Sequence, residues 1–226
     1  MYEKASSYSN YIQKKKTIKL PRMNADYLKS AKQQFLYYKQ LGDKTMDQLS
    51  DEQLFWQYND ASNSIAIMVK HLWGNMMSRW TDFLTTDGEK DFRQRDEEFE
   101  LRVGPNHQGV DNIAEGVNEH SRAVIIEKWE QGWACLFTAL DSINEDNFDT
   151  TIYIRNQRHS IPEAVNRQMM HYAYHVGQMV YLGRMMKGED WQSLSIPKGN
   201  SKAYNAEKFS QEKGKRHFTA EYLGKN

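Results

Sequence analysis

The sequence predicts an all-α protein, an antiparallel four-helix bundle that carries a short β-hairpin and an extended C-terminal tail. Three observations predict it. Apolar residues recur at helical spacing through four long segments, and no strand alternates with them. The 4 prolines, Pro21, Pro105, Pro162 and Pro197, all fall where a helical pattern is absent or just beginning. Amphipathic helices must bury their apolar faces on one another, and 226 residues are enough for one well-packed core.

Residues 1–22 are polar, rich in Tyr, Ser and Lys, and read as a flexible leader. From Asn24 the series Tyr27, Leu28, Ala31, Phe35, Tyr38 and Leu41 predicts the first helix, with Gly42-Asp43 as its stop. Ser50-Asp51-Glu52-Gln53 has the spacing of a capping box and predicts a short helical turn through Phe55 and Trp56. The second long helix is predicted from Ser62 to Thr85, on a wide stripe of Ile65, Val69, Leu72, Met76, Trp80 and Phe83. A charged and then glycine-broken stretch follows, so residues 90–120 read as a long connection. The third helix is predicted over Ser121–Leu140, burying Ile125, Ile126, Trp129, Trp133, Leu136, Phe137 and Leu140.

Thr150 to Ile154 is β-branched and aromatic, and His159 to Ile161 can pair back across a turn at Asn156-Gln157, which predicts a small hairpin. Ser160, Pro162 and Glu163 then mark a helix start, and the fourth helix runs to about Lys187, where Gly188 ends it. The bundle therefore occupies residues 23–190, and residues 191–226 form a polar extension packed on it.

Lys+Arg and Asp+Glu balance at 30 each, so no whole-molecule field gathers nucleic acid or an anionic membrane. A single cysteine, Cys135, excludes an internal disulfide framework and fits a reducing compartment. No apolar run approaches the length of a membrane span. These features predict a cytoplasmic protein whose partners are small molecules.

In a bundle, polar residues on inward faces carry the chemical interest. His171 and His175 are four apart on the fourth helix, so both imidazoles project from one face about one turn apart and can share an ion. Gln168 and Gln178 flank that direction, while Val165, Met169, Val176 and Val180 form a separate apolar arc. Gly177 and Gly183 offer room for a neighbouring helix. An HxxxH pair alone also suits two hydrogen-bonded core histidines. His71 sits at the edge of the second helix's apolar stripe, a position that equally suits a solvated side chain. Facing inward, it would complete three neutral nitrogen ligands with one position open, the pattern of a catalytic site. His107, His120, His159 and His217 lie in polar or broken segments and read as solvated. Cys135 reads as a small packed hydrophobe.

The run His171-Tyr-Ala-Tyr-His175-Val-Gly177-Gln178, with the upstream His71-Leu-Trp-Gly-Asn75, resembles the DinB/YfiT-like superfamily. The phrases SDEQLFWQYN, SIAIMVKHLWGNM, RWTDFLT and SIPKGNSKAYN extend the likeness over residues 23–209. The resemblance implies an up-down-down-up bundle, homodimerisation, and a zinc or nickel ion held by His71, His171 and His175. Some relatives transfer bacillithiol or a related low-molecular-weight thiol, and others isomerise maleylpyruvate with mycothiol. No second histidine follows His175, unlike the commoner HxxxHHxGQ form.

Three neutral imidazoles leave a divalent ion its full charge, so its open position would favour an anion such as a thiolate or hydroxide. The expectation is a metal-dependent thiol S-transferase-like enzyme or hydrolase, with Gln178 and Asn75 supporting the site. The alternative is a non-catalytic helical scaffold.

Overall fold

The computed structural model describes residues 21–84 and 121–224; residues 1–20 of the predicted leader and the connection at 90–120 lie outside them, whereas Pro21 and Arg22, expected in the leader, already belong to the first helix. The described chain is mostly helical, with one two-stranded antiparallel hairpin. Four long helices dominate: α1 (Pro21–Met46), α3 (Ile65–Trp80), α4 (Arg122–Ser142) and α5 (Ile161–Lys187). A short α2 (Asp51–Phe55) links the first two, and α6 (Ser201–Ser210) and α7 (Ala220–Leu223) stand in the C-terminal part. The closest packing is α3 on α4 and α1 on α5, with α3–α5 and α1–α4 contacts closing the set. Among the described residues, no helix is long and apolar enough to cross a membrane.

Helix starts follow the chemistry of their caps. Ser50, Ser64, Ser121 and Ser160 each accept a hydrogen bond from a backbone N–H three residues on, which satisfies a donor that the first turn leaves unpaired. At Ser50 and Ser160 the box is reciprocal, through Gln53 and Glu163. The second long helix thus begins after Ser64 and ends at Trp80, shorter at both ends than its apolar stripe predicts.

Gly42-Asp43 is not a stop. α1 runs through it to Met46, and Gly42 is buried because the Trp129 indole of α4 lies where its side chain would be: a Cβ there would collide with Trp129 Cζ2. The indole Nε1 donates to Asp43 Oδ1 at 2.6 Å, so both residues serve one close contact.

The hairpin pairs β1 (Ile152–Ile154) with β2 (Gln157–His159), Ile154 opposite Gln157. Its turn is Arg155-Asn156, one residue earlier than expected. Both have positive φ, 51° and 61°, the backbone whose twist matches that of the flanking strands. Ile152 and Ile154 are buried while Tyr153 is exposed, the alternation of a one-sided strand.

The centre of the core is aromatic. Phe35 of α1, Trp80 of α3, Trp133 of α4 and Tyr172 of α5 meet with centroid separations of 5.9 to 6.3 Å among the closest pairs. One ring from each long helix thereby fixes how the four sit together. The C-terminal part is tied to α1: His217 Nε2 lies 3.0 Å from Ser30 Oγ, Thr219 is fully buried, and the Tyr222 ring lies 5.1 Å from that of Tyr37.

Candidate metal centre

His71 stands on α3 seven residues after its Ser64 cap, and the capping box at Ser160 sets the register in which α5 presents His171 and His175. α3 meets α5 in the core, and the three imidazoles converge there. His71 Nε2 lies 3.2 Å from His171 Nε2, and His175 Nε2 lies 3.1 Å from the same atom. The ring centroids are 4.8 to 5.2 Å apart, with planes steeply inclined. All three residues are half-buried, so the nitrogens are sheltered while still open to a ligand. His71 thus faces the pair on α5 and is half-buried rather than fully exposed.

The spacing and the donor set fit a divalent ion. At a Zn–N bond of about 2.0–2.1 Å, tetrahedral geometry separates neighbouring nitrogens by about 3.3 Å, close to both distances between ring nitrogens. Imidazole donors suit zinc and nickel better than hard ions such as magnesium or calcium. Among the described residues the group contains no carboxylate.

Gln178, one turn beyond His175, lies behind it. Its Oε1 is 2.9 Å from His175 Nδ1. A carbonyl oxygen can only accept, so Nδ1 carries the proton and Nε2 keeps its lone pair for an ion. Asn75 has a different contact: it is buried, and its Oδ1 accepts from the Tyr172 hydroxyl at 2.9 Å. That hydroxyl accepts in turn from Trp80 Nε1 at 2.9 Å. Asn75 therefore anchors the residue next to His171 rather than a ligand itself. Tyr172 was not singled out by the sequence, although an aromatic one position from a ligand on a buried helix is the available signal. Gln168, one turn before His171, is 4 % exposed, and its buried Oε1 has no hydrogen-bond partner among the described residues. An unpartnered buried acceptor beside a ligand helix is a polar group for a bound donor to satisfy.

The other candidates stay apart from this centre. His159 Nδ1 lies 2.8 Å from the Gln157 carbonyl, and His217 clasps Ser30 and Thr219; His107 and His120 lie outside the described residues. Cys135 is half-buried against Thr81 Oγ1 at 3.6 Å, and burial pushes its thiol above the ordinary range, which suits a packed thiol rather than a nucleophile.

The family model described as "Protein of unknown function (DUF1572)" matches residues 22–200, which include all three histidines. No curated protein and no solved structure matches the chain significantly.

Proposed function

The chain belongs to the DUF1572 family, a DinB/YfiT-like family, and on that footing we propose that it is a divalent-metal-dependent enzyme acting on a small molecule. The proposed scaffold is an antiparallel four-helix bundle over residues 23–190, with 191–226 as an extension packed on it. The observation that carries the reading is the convergence of three Nε2 atoms from α3 and α5 at 3.1–3.2 Å around His171. Three neutral lone pairs brought together repel one another unless a cation or a shared proton lies between them, and one position remains for a ligand.

His71, His171 and His175 would hold the ion, zinc or nickel by donor type. When bound, it supplies Lewis acidity at an open position, the chemistry that ionises a thiol or a water near neutral pH. The chain's own residues supply the orientation. Gln178 holds His175 in the tautomer that presents Nε2, the Asn75–Tyr172–Trp80 chain fixes the stretch of α5 that carries His171, and Gln168 offers an acceptor to a donor on the substrate. The reaction favoured is S-transfer from a low-molecular-weight thiol. Its sulfur forms a bond to an electrophilic carbon, the leaving group departs with the bonding pair, and the thiol proton passes to solvent. Hydrolysis is the same displacement with water in place of the thiol. A cytoplasmic setting, where such thiols stay reduced, goes with this reading.

Elemental analysis of protein purified without added ions tests it first. Stoichiometric metal in the wild type, lost in His175→Ala with the helical spectrum unchanged, is the expected result. Unfolding on chelation would instead assign the ion a structural role. For the reaction, a cobalt-substituted centre should change its visible spectrum with a bacillithiol-like thiol, and silence with every thiol tried removes S-transfer.

A further inference from the structure

The family match ends at residue 200, and the chain beyond it carries the most exposed large apolar side chain among the described residues, Phe209 at 85 %, with a second phenylalanine, Phe218, at 62 %. Cations surround them. Residues 198–216 hold Lys198, Lys202, Lys208, Lys213, Lys215 and Arg216 against only Glu207 and Glu212, a local excess that the balance over the whole chain conceals. Glu221 takes up Lys208, but among the described residues no carboxylate pairs with Lys198, Lys202 or Lys213.

The contacts of α6 decide which way these groups face. Tyr204 donates to Glu221 Oε1 at 2.5 Å and Lys208 pairs with the same carboxylate, so the Tyr204–Lys208 side of α6 turns to α7. At about 100° per residue, Lys202 and Phe209 lie within roughly 20° of each other and about 130° from that side. They share the outward face. Past α6 the chain turns back through a loop that Arg216 closes, donating to Gln211 Oε1 at 2.6 Å. Phe209 stands just before the loop and Phe218 just after it, with Lys213 and Lys215 between them; the Lys215 side chain is 95 % exposed. Phe218 stacks on the His217 ring with centroids 4.7 Å apart, and His217 is tied to Ser30 of α1. The rings and the cations therefore occupy one solvent-facing corner whose support is fixed to the bundle.

We infer that this corner is a docking surface for an anionic lipid bilayer. A reversible hold on such a surface takes two signals, an apolar group that enters the boundary between headgroups and acyl chains and cations that meet the acidic headgroups, because one alone binds only marginally. Both stand together here. A lysine stem is long enough to keep its ammonium among the headgroups while a neighbouring ring goes deeper. Attachment of this kind is peripheral, and among the described residues no helix is long and apolar enough to cross a membrane. A nucleic acid would meet the same cations but suits the corner less well. Single strands are bound in grooves where aromatic rings stack on successive bases, and guanidinium forks match phosphate best. Here five of the six cations are lysines, and Phe209 stands out from a helix with most of its surface bare. The inference stands whether or not the histidines hold an ion.

Cosedimentation of the full chain with vesicles of phosphatidylcholine, alone or with a minority of phosphatidylserine, tests it. Binding should appear only with the anionic lipid and should fall as salt is raised, since exposed charges are screened. Lys202→Gln and Lys213→Gln should each weaken it by about fivefold, and Phe209→Ser by at least about tenfold, with an unchanged far-UV circular dichroism spectrum. Tyr153→Ser, at an exposed aromatic residue on the hairpin, should bind as the wild type does. Independently of those substitutions, a polarity-sensitive dye on Ala206→Cys in a Cys135→Ser background should shift to the blue when anionic vesicles are added, since position 206 shares the outward face of α6. A wild type that binds neither kind of vesicle overturns the inference. So does binding that persists in Phe209→Ser and in both lysine variants, or a dye that reports only water while the chain sediments, either of which would assign the contact to another face. Retention of a single-stranded oligonucleotide without any binding to vesicles would assign the corner to nucleic acid, and that also overturns it.

Discussion

Gln178 Oε1 sits 2.9 Å behind the Nδ1 of His175, so the ring that faces the other two histidines is held by an amide one turn away on its own helix. A supporting contact of this kind fixes both tautomer and orientation. Gln178→Ala is therefore expected to lower metal affinity by about 10- to 100-fold, measured by competition with a chromophoric chelator. Gln178→Glu, which keeps an acceptor in place, should retain most of it. Equal affinity in all three proteins would show that the contact orients nothing.

The Tyr172 hydroxyl joins Trp80 to Asn75 in the buried core. Tyr172→Phe keeps the ring packing and strands one donor and one acceptor out of reach of water. The expected loss is about 2 kcal/mol of stability, read as a lower urea midpoint with an unchanged slope. A neutral result would mean that water reaches both groups.

Gly42→Ala separates helix propensity from packing. In an exposed helix the change would stabilise by about 1 kcal/mol, but here the new methyl meets a Trp129 ring that is buried and tied to Asp43. Overpacking should win, with a net destabilisation of about 1–3 kcal/mol. Thermal melts of the two proteins decide the sign.

Glu163 closes the capping box of α5, accepting from the Ser160 backbone N–H and hydroxyl at 2.7 and 2.8 Å, and these bonds hold its carboxyl below the ordinary value of 4.5. A depressed folded value means that the unfolded chain binds the proton more readily. The stabilisation is then complete above the unfolded pKa and is lost as pH falls through the folded one. Glu163→Gln has no charge to lose, so the stability gap between wild type and variant should be widest near neutrality and should shrink below about pH 4. A gap that is constant with pH would mean that the carboxylate's charge is irrelevant to the cap.

Most of the helical framework was legible because its signals are local. Serine caps, the four-residue spacing of His171 and His175 and the stripe that carries His71 all act within a few residues, and periodicity reads them. What was not legible depends on contacts between helices. Gly42 reads as a terminator until the Trp129 ring appears beside it, and Gly177 reads as a packing site until its side of α5 proves bare. Asn75 looks like a partner of His71, yet its partner is a hydroxyl on a helix nearly a hundred residues further along the chain. The hairpin turn was misplaced by one residue because Arg155, a residue with no special ease at positive φ, occupies a left-handed position in it.

His171 and Tyr172 are consecutive, and on a helix consecutive side chains diverge by about 100°. One enters the histidine cluster while the other enters the aromatic centre shared by all four long helices. Turning either means turning both, and the second is gripped by Phe35, Trp80 and Trp133. Whatever occupies the three nitrogens must therefore conform to a spacing set elsewhere in the molecule. Discrimination among ions would follow from the stiffness of the scaffold, and a mutation far from the cluster that loosens one aromatic ring would relax it.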